Sequence, residues 1–578
     1  MMHGFRLAAA AAAVSLLLSG TAYACTTLLV GSGATSDGSL IIGRNADSNA
    51  LKAQHMVVHP AKTNQKGMYR TADHHGANNF EYPLPKNSLR YTTVPNWKTG
   101  VHGATGFNSA GVGVSGTESI FARDDALKLD PYVEKTGITE DDIMEVILPR
   151  ARSAREGAQI LGHVVETKGA GEGFGVAFVD AKELWYLETG TGHQWIAVRI
   201  PKDEYFASGN QGRLQQYKAG DPNFMGSPTV VSWAEQHGFY NPKDGAFNFA
   251  KAYTRDDGRD RLYNDPRIFS IMKTLTPSLS IQPEAGRAFP VFAKPAEKVS
   301  VDEVKKLLRS HFEIAGLESH DPYTKGLRGD EPYRPISVFR TYESHVMQVR
   351  PNLPRAIGEV TYLAMGMGDL GVYVPFYQGL KAFPKEYSIG TDKADSNSAY
   401  WKFRKVQTLA MTDYPKLAPV VHERYAAWEA DTAEKMKAFE AQQPNELAAK
   451  ISPRASKLFG SLIAIGPKCI TVFSMDSQKP SESIDASRTK YCSNVCDTIS
   501  ATPAAVWFAG TVNVYSGSMI DATGKQPFTG SFSFVSSFVI TPPKSYSEPV
   551  AASVMTSNTG RGFPTRSGCF TRSQGSPS

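Results

Sequence analysis

The stretch at residues 25–47, CTTLLVGSGATSDGSLIIGRNAD, constrains this chain most. Two apolar, β-rich runs, residues 25–30 and 39–43, flank turn chemistry at residues 31–38 made of Gly, Ser, Thr, Asp and Gly. That pattern predicts a β-hairpin. The hairpin returns Arg44 and Asp47, just past its second strand, to the neighbourhood of Cys25, which opens the first. Any fold built on this segment must hold a cysteine at a strand end with an arginine and an aspartate beside it.

What precedes Cys25 reads as a targeting signal. Arg6 supplies a positive charge, residues 7–18 form an apolar run, and Ala22-Tyr23-Ala24 follows. This is the charged, apolar, A-x-A order of a secretory signal. Residues 1–24 are therefore expected to be removed between Ala24 and Cys25, with export to the periplasm or the cell exterior. The apolar run falls short of the roughly 20 residues that span a bilayer, and no later run is long enough, so no stable membrane insertion is expected. A cysteine directly after a cleavage site is also the lipidation position of lipoproteins, which makes a lipid-anchored, non-catalytic envelope protein the competing reading. Lipoprotein signals usually carry Leu three residues before that cysteine; here the residue is Ala22.

Composition narrows the class. Of 578 residues, 20% are charged and 41% hydrophobic, an ordinary balance for a globular protein. The net charge of +6 is not gathered into a basic stripe, which argues against a nucleic-acid partner. There are five cysteines: Cys25, Cys469, Cys492, Cys496 and Cys569. In an exported protein the last four can form two disulfides, leaving Cys25 as the odd, reactive thiol. Cys492 and Cys496 lack suitable histidines nearby, and His74-His75 lack spaced ligand partners, so no metal site is expected.

Further along, residues 106–119 read as a turn followed by a Gly/Val strand. Thr139-x-x-Asp142 predicts a helix over residues 139–148, and Ser153-x-x-Glu156 a second over 153–166. Residues 174–179, 184–187 and 195–200 read as strands. Ser300-x-x-Glu303 opens another helix, and residues 416–450 are helical, with Val421, Tyr425, Trp428, Thr432, Met436 and Phe439 on one face as core packing. Strand pairs, then helices, then strands indicate an α+β fold. After residue 452 the composition shifts to Ser, Thr, Gly and Pro. Residues 453–578 are accordingly a C-terminal extension of unknown role, and residues 25–452 the main domain.

A thiol attacks as its thiolate and needs a base. If Cys25 becomes the first residue, its own α-amine, with a pKa of about 8, can take the thiol proton and later protonate a leaving amine. Arg44 can stabilise the thiolate by charge, and Asp47 can accept from the ammonium or the thiol. The bland alternative for Arg44 and Asp47 is a surface ion pair, and for Asn210 a turn residue after Ser208-Gly209.

Residues 25–31, 36–39 and 43–47 resemble the start of the dipeptidase-A family of N-terminal-nucleophile cysteine peptidases, related to bile-salt hydrolases and penicillin V acylases. Similar stretches follow in order: 111–119, 188–199, Asn210-Gln211, 263–267, 334–337, 345–350 and 374–377. The resemblance implies an αββα sandwich with added helices, hydrolysis of dipeptides, and no metal or cofactor. It sets Cys25 as nucleophile, Arg44 and Asp47 as the R-x-x-D pair, Asn210 as an oxyanion donor, and Arg267 against a later active-site arginine. Where bile-salt hydrolases carry an Asn, this chain has Glu118. A carboxylate cannot donate to an oxyanion unless protonated, so Glu118 with its neighbour Thr117 is expected to bind the free amino group of a dipeptide. His193 and His345 are expected to be structural or substrate-lining, and Glu188 and Trp195 strand-end and core residues. The rival enzyme reading is amidohydrolysis of N-acyl amides. Assembly into a homo-oligomer is left open.

Overall fold

A computed structural model describes residues 25–72, 78–97, 103–313, 316–324 and 333–441. All of them belong to the first of the chain's two units, Met1–Thr489. The signal segment, His74-His75, the four later cysteines and the C-terminal extension lie outside the described residues.

The predicted hairpin is present as β1 (Thr26–Val30) and β2 (Leu40–Asp47), paired antiparallel with Thr27 opposite Arg44 and Leu29 opposite Ile42. Gly38 closes its turn with φ +77°, a left-handed conformation that favours glycine. Asp37 Oδ1 accepts from the Ser39 backbone N–H (3.0 Å) and hydroxyl (2.6 Å), fixing the return. Strand β2 runs on to Asp47, so Arg44 and Asp47 sit inside it rather than beyond its end.

Two short ribbons follow, β3 (Val57–His59) with β6 (Tyr91–Thr93) and β4 (Met68–Arg70) with β5 (Glu81–Pro83). The chain then lays down β7 (Thr105–Phe107) and β8 (Gly113–Ser119), then β9 (Phe174–Val179), β10 (Leu184–Thr189) and β11 (Trp195–Arg199). Strands β12 (Tyr205–Ser208), β13 (Phe224–Gly226) and β14 (Phe292–Ala293) come next. Strands β15 (Thr341–Val349), β16 (Glu359–Met365) and β17 (Val374–Tyr377) come last among the described residues. One antiparallel sheet has the order β14-β12-β1-β2-β15-β16-β17, the other β13-β11-β10-β9-β8-β7.

The sheets pack face to face. Leu29, Ile42, Phe206, Met347 and Val349 of the first share a core with Phe107, Val179, Tyr186, Ile196 and Val198 of the second. Helix Ala154–Lys168 covers the outer face of the second sheet, burying Ala158, Leu161 and Val165 against Val176, Phe178, Trp185 and Leu187. Helix Val301–Arg309 covers β2 and β15, and Ala399–Ala410 covers β16. Gly43 lets Val304 sit directly on β2: a Cβ there would come within 2.5 Å of Val304 Cγ1. The layering is therefore helix, sheet, sheet, helix, the α+β sandwich expected.

The capping signals differ in outcome. Ser153 Oγ accepts from the Glu156 N–H, and Ser300 with Glu303 forms a full capping box. Thr139 and Asp142 do not open a helix: the Asp142 carboxylate accepts from the Thr139 N–H (3.1 Å) and hydroxyl (3.0 Å), a local turn, and the helix spans only Ile143–Ile147. The long helix runs Tyr414–Ala441, with Val421, Tyr425, Thr432 and Met436 buried and Trp428 and Phe439 half-buried.

Candidate active site

Alternation along the inner strands places the site. In a strand, residues two apart share a face. On β1 the inner face carries Leu29 and then Thr27; on β2, Ile42 and then Arg44; on β15, Met347 and then His345. The apolar end is core. At the other end the facing strand β8 supplies Ser115 and Glu118, with the Thr117 carbonyl beside them.

Cys25 lies there, 3% exposed. Its thiol receives a hydrogen bond from Arg44 Nη2 at 2.9 Å, and the Asp47 backbone N–H also donates to it. Arg44 Nη2 bonds the Thr117 carbonyl as well, and Nη1 lies 3.7 Å from Glu343 Oε1. Burial pushes the thiol up to about 12 in the chain as it stands, against the pull of the Arg44 charge. Glu343 is braced by His345 Nδ1 (2.9 Å), whose Nε2 meets Ser115 Oγ at 2.8 Å. His345 is thus structural, as expected, and bonds neither to Cys25 nor to Arg44. His193 pairs with Asp130 at 2.7 Å, away from this constellation.

Asp47 does not pair with Arg44. It is bound by Arg334 and by the Thr341 hydroxyl. Both Arg44 and Asp47 are about 1% exposed, so the surface-pair alternative fails.

Arg267 joins the site from the buried side of helix Asp265–Leu275. Its Nη1 bonds the Cys25 carbonyl and Thr26 Oγ1 (2.9 Å); its Nη2 bonds Asn210 Oδ1 (2.9 Å) and Asn264 Oδ1 (2.6 Å). Burial, and then the neighbouring Arg334, lowers this guanidinium to about 9. Asn264 also clasps the Asn210 backbone, accepting from its N–H (3.1 Å) and donating to its carbonyl (3.0 Å). With Oδ1 committed to Arg267, the Asn210 amide must present its NH2. That nitrogen is buried and has no partner. A fixed, unpaired donor tied through Arg267 to the Cys25 backbone is the kind of group an oxyanion requires.

Glu118 is fully buried, and its Oε2 accepts from Thr27 Oγ1 at 2.6 Å. Its Oε1 has no partner. Burial pushes its carboxyl up to about 8, against the charges of Arg44 and Arg267. The Thr117 hydroxyl is turned to Glu140 Oε2 (2.8 Å), so Thr117 contributes its carbonyl, not its hydroxyl, to Arg44.

The profile described as Peptidase family C69 matches residues 24–426. The chain belongs to peptidase family C69. A probable dipeptidase of Salmonella dublin is 52% identical over 384 residues, 66% of this chain and 86% of that protein. One of Latilactobacillus sakei is 33% identical over 396 residues, 68% of this chain and 82% of that protein. A solved structure of penicillin V acylase from Agrobacterium tumefaciens aligns at 12% identity and a TM-score of 0.27, covering 59% of this chain and 82% of that one.

In this C69 peptidase the structure brings together the seven residues given a site role from the sequence: Cys25, Arg44, Asp47, Thr117, Glu118, Asn210 and Arg267. Sequence reading missed the roles of Asn264, Arg334, Thr341 and Glu343. Asn264 and Arg334 stood in the resembling stretches 263–267 and 334–337 but had no chemistry attached. Thr341 and Glu343 carried no signal, because only the β2–β15 pairing puts them beside Asp47 and Arg44.

Proposed function

We propose that the chain is an exported dipeptidase whose nucleophile is Cys25, freed as the first residue by removal of residues 1–24. The observation that carries this reading is the polarity of the thiol's partners. Arg44 and the Asp47 N–H are both donors. They stabilise a thiolate but cannot take its proton. The base must come from elsewhere, and the α-amine released at Cys25 is covalently at hand. Burial holds the thiol up against the pull of Arg44, so its ionisation calls for such a base.

The cycle follows. The α-amine accepts the Cys25 proton and Sγ attacks the scissile carbonyl, with the Asn210 NH2 donating to the oxyanion. The α-ammonium protonates the leaving amine as the C–N bond breaks, giving a thioester. The amine then deprotonates a water that attacks the thioester and releases the N-terminal residue and the thiol. Glu118 Oε1, buried and unpaired, accepts the free ammonium of the substrate. An ammonium there supplies the positive charge that draws this carboxyl into its ionised form.

The test is the mass of the purified active protein together with kinetics on free dipeptides and N-acylated amides. The expected outcome is a chain beginning at Cys25, preference for free dipeptides, and loss of hydrolysis in Cys25→Ala. An active chain retaining Ala24, or a diacylglyceryl thioether on Cys25, overturns the mechanism. A Glu118→Gln enzyme that keeps full preference for dipeptides overturns the role given to Glu118.

A further inference from the structure

Tyr263 is ringed by arginines. The guanidinium carbons of Arg267, Arg334, Arg259 and Arg340 lie 5.4, 5.6, 5.9 and 5.9 Å from its ring centre. Arg267 and Arg334 face the site, and both reach Thr26 Oγ1, at 2.9 and 3.5 Å, one residue from Cys25. Arg340 is less buried than either. It is half-buried, donates to the Tyr263 hydroxyl, and immediately precedes Thr341, which holds Asp47.

The charges around this ring are unbalanced. Arg334 is ion-paired with Asp47. Arg259, Arg267 and Arg340 make no ion pair among the described residues. Crowded like charges cost energy until an anion joins them. A dipeptide carries such an anion at a fixed place: the carboxylate carbon of its second residue lies at most about 4 Å from the scissile carbonyl carbon. With that carbonyl placed between Cys25 and Asn210 and the ammonium on the Glu118 side, the carboxylate end is left over, and Arg267 and Arg334, which touch both Thr26 and the Tyr263 ring, join Cys25 to the arginine cluster.

We propose that Arg340, steadied by Tyr263, binds the free α-carboxylate of the leaving residue and so restricts the enzyme to substrates ending one residue past the scissile bond. This rests on the dipeptidase reading and deepens it. A guanidinium suits the task because its planar fork matches a carboxylate with two parallel hydrogen bonds. Arg267 and Arg334, committed to the Cys25 carbonyl, Asn210 and Asp47, are not available for it.

The experiment is the ratio of kcat/KM for a free dipeptide to that for the same dipeptide as its C-terminal amide, measured on the mature enzyme. The wild type should prefer the acid. Arg340→Met should lower the ratio at least about tenfold, mainly through KM, and Arg340→Lys should recover part of it, since it keeps the charge but loses the fork. Because the ratio compares two substrates on one preparation, partial unfolding does not move it. An unchanged ratio in Arg340→Met overturns the proposal. Should N-acyl amino acids prove to be the substrates instead, the dipeptidase reading falls. The same acid-to-amide ratio, taken on those compounds, then decides the role of Arg340.

Discussion

The inner faces of β1, β2 and β15 carry two regions with different rules. At one end Leu29, Ile42 and Met347 are fully buried among apolar neighbours from the facing sheet. Two residues further along the same strands, Thr27, Arg44 and His345 are buried as deeply. The apolar end needs only volume and shape. The polar end needs a partner for every group it buries, because an unpaired buried polar atom costs about 1–3 kcal/mol. It meets much of that demand: Thr27 on Glu118, Arg44 Nη2 on the Thr117 carbonyl and Cys25, and His345 between Glu343 and Ser115. Several buried atoms here still lack a hydrogen-bond partner, Arg44 Nε and Nη1 among them, and two of these atoms, Glu118 Oε1 and Asn210 Nδ2, are the ones to which substrate groups are assigned. At those two atoms the substrate completes the network.

That contrast can be broken by substitution at either end. The largest effect is expected from Arg44→Met, which removes the thiol's cationic partner and strands Glu343; breaking a buried pair costs about 3–5 kcal/mol of stability. Denaturant unfolding should show that loss and dipeptide hydrolysis should vanish, whereas a stable, active variant would mean the thiolate needs no cation. Leu29→Ala probes the other end. It should cost about 2–5 kcal/mol in unfolding free energy while kcat per folded molecule holds, and a selective loss of kcat would blur the division between the two regions. Asn210→Ala should do the reverse, lowering kcat about 10²–10³-fold with little change in melting temperature. A kcat within a fewfold of wild type would remove Asn210 from the oxyanion site.

The smallest effect concerns pH. Burial raises the Glu118 carboxyl from an ordinary 4.5 to about 8, so the folded state binds its proton more tightly than the unfolded chain does. Stability from that group is full below pH 4.5 and is lost as pH rises toward 8. Glu188, raised to about 7 by burial, acts in the same direction. Melting temperature should therefore fall between pH 5 and pH 8, and the fall should be shallower in Glu118→Gln. An identical slope in that variant would place the Glu118 proton elsewhere.

Much of the site was legible because it is local. The hairpin places Cys25, Arg44 and Asp47 within 23 residues, and two short continuous apolar runs around Gly-Asp turn chemistry announce it. Ser153 and Ser300 likewise act within one helical turn. Thr139 and Asp142 carried the same signal and gave a turn, since the Asp142 side chain can satisfy the Thr139 backbone without any helix. The sequence also offered Arg44 and Asp47 as a possible mutual pair. Inside β2 they are three residues apart and find separate partners, Thr117 and Glu343 for one, Arg334 and Thr341 for the other.

By itself, then, the order of residues determined which groups could react: a cysteine that opens a strand, with an arginine and an aspartate returned to it by a tight turn. Only the tertiary structure decided which of them are charged, paired or left open. Arg334 lies 287 residues from Asp47, and Arg267 lies 242 from Cys25. Contacts over such separations, and the burial that shifts Cys25 and Glu118, arise only when two sheets close over one another, and no local pattern encodes that closure.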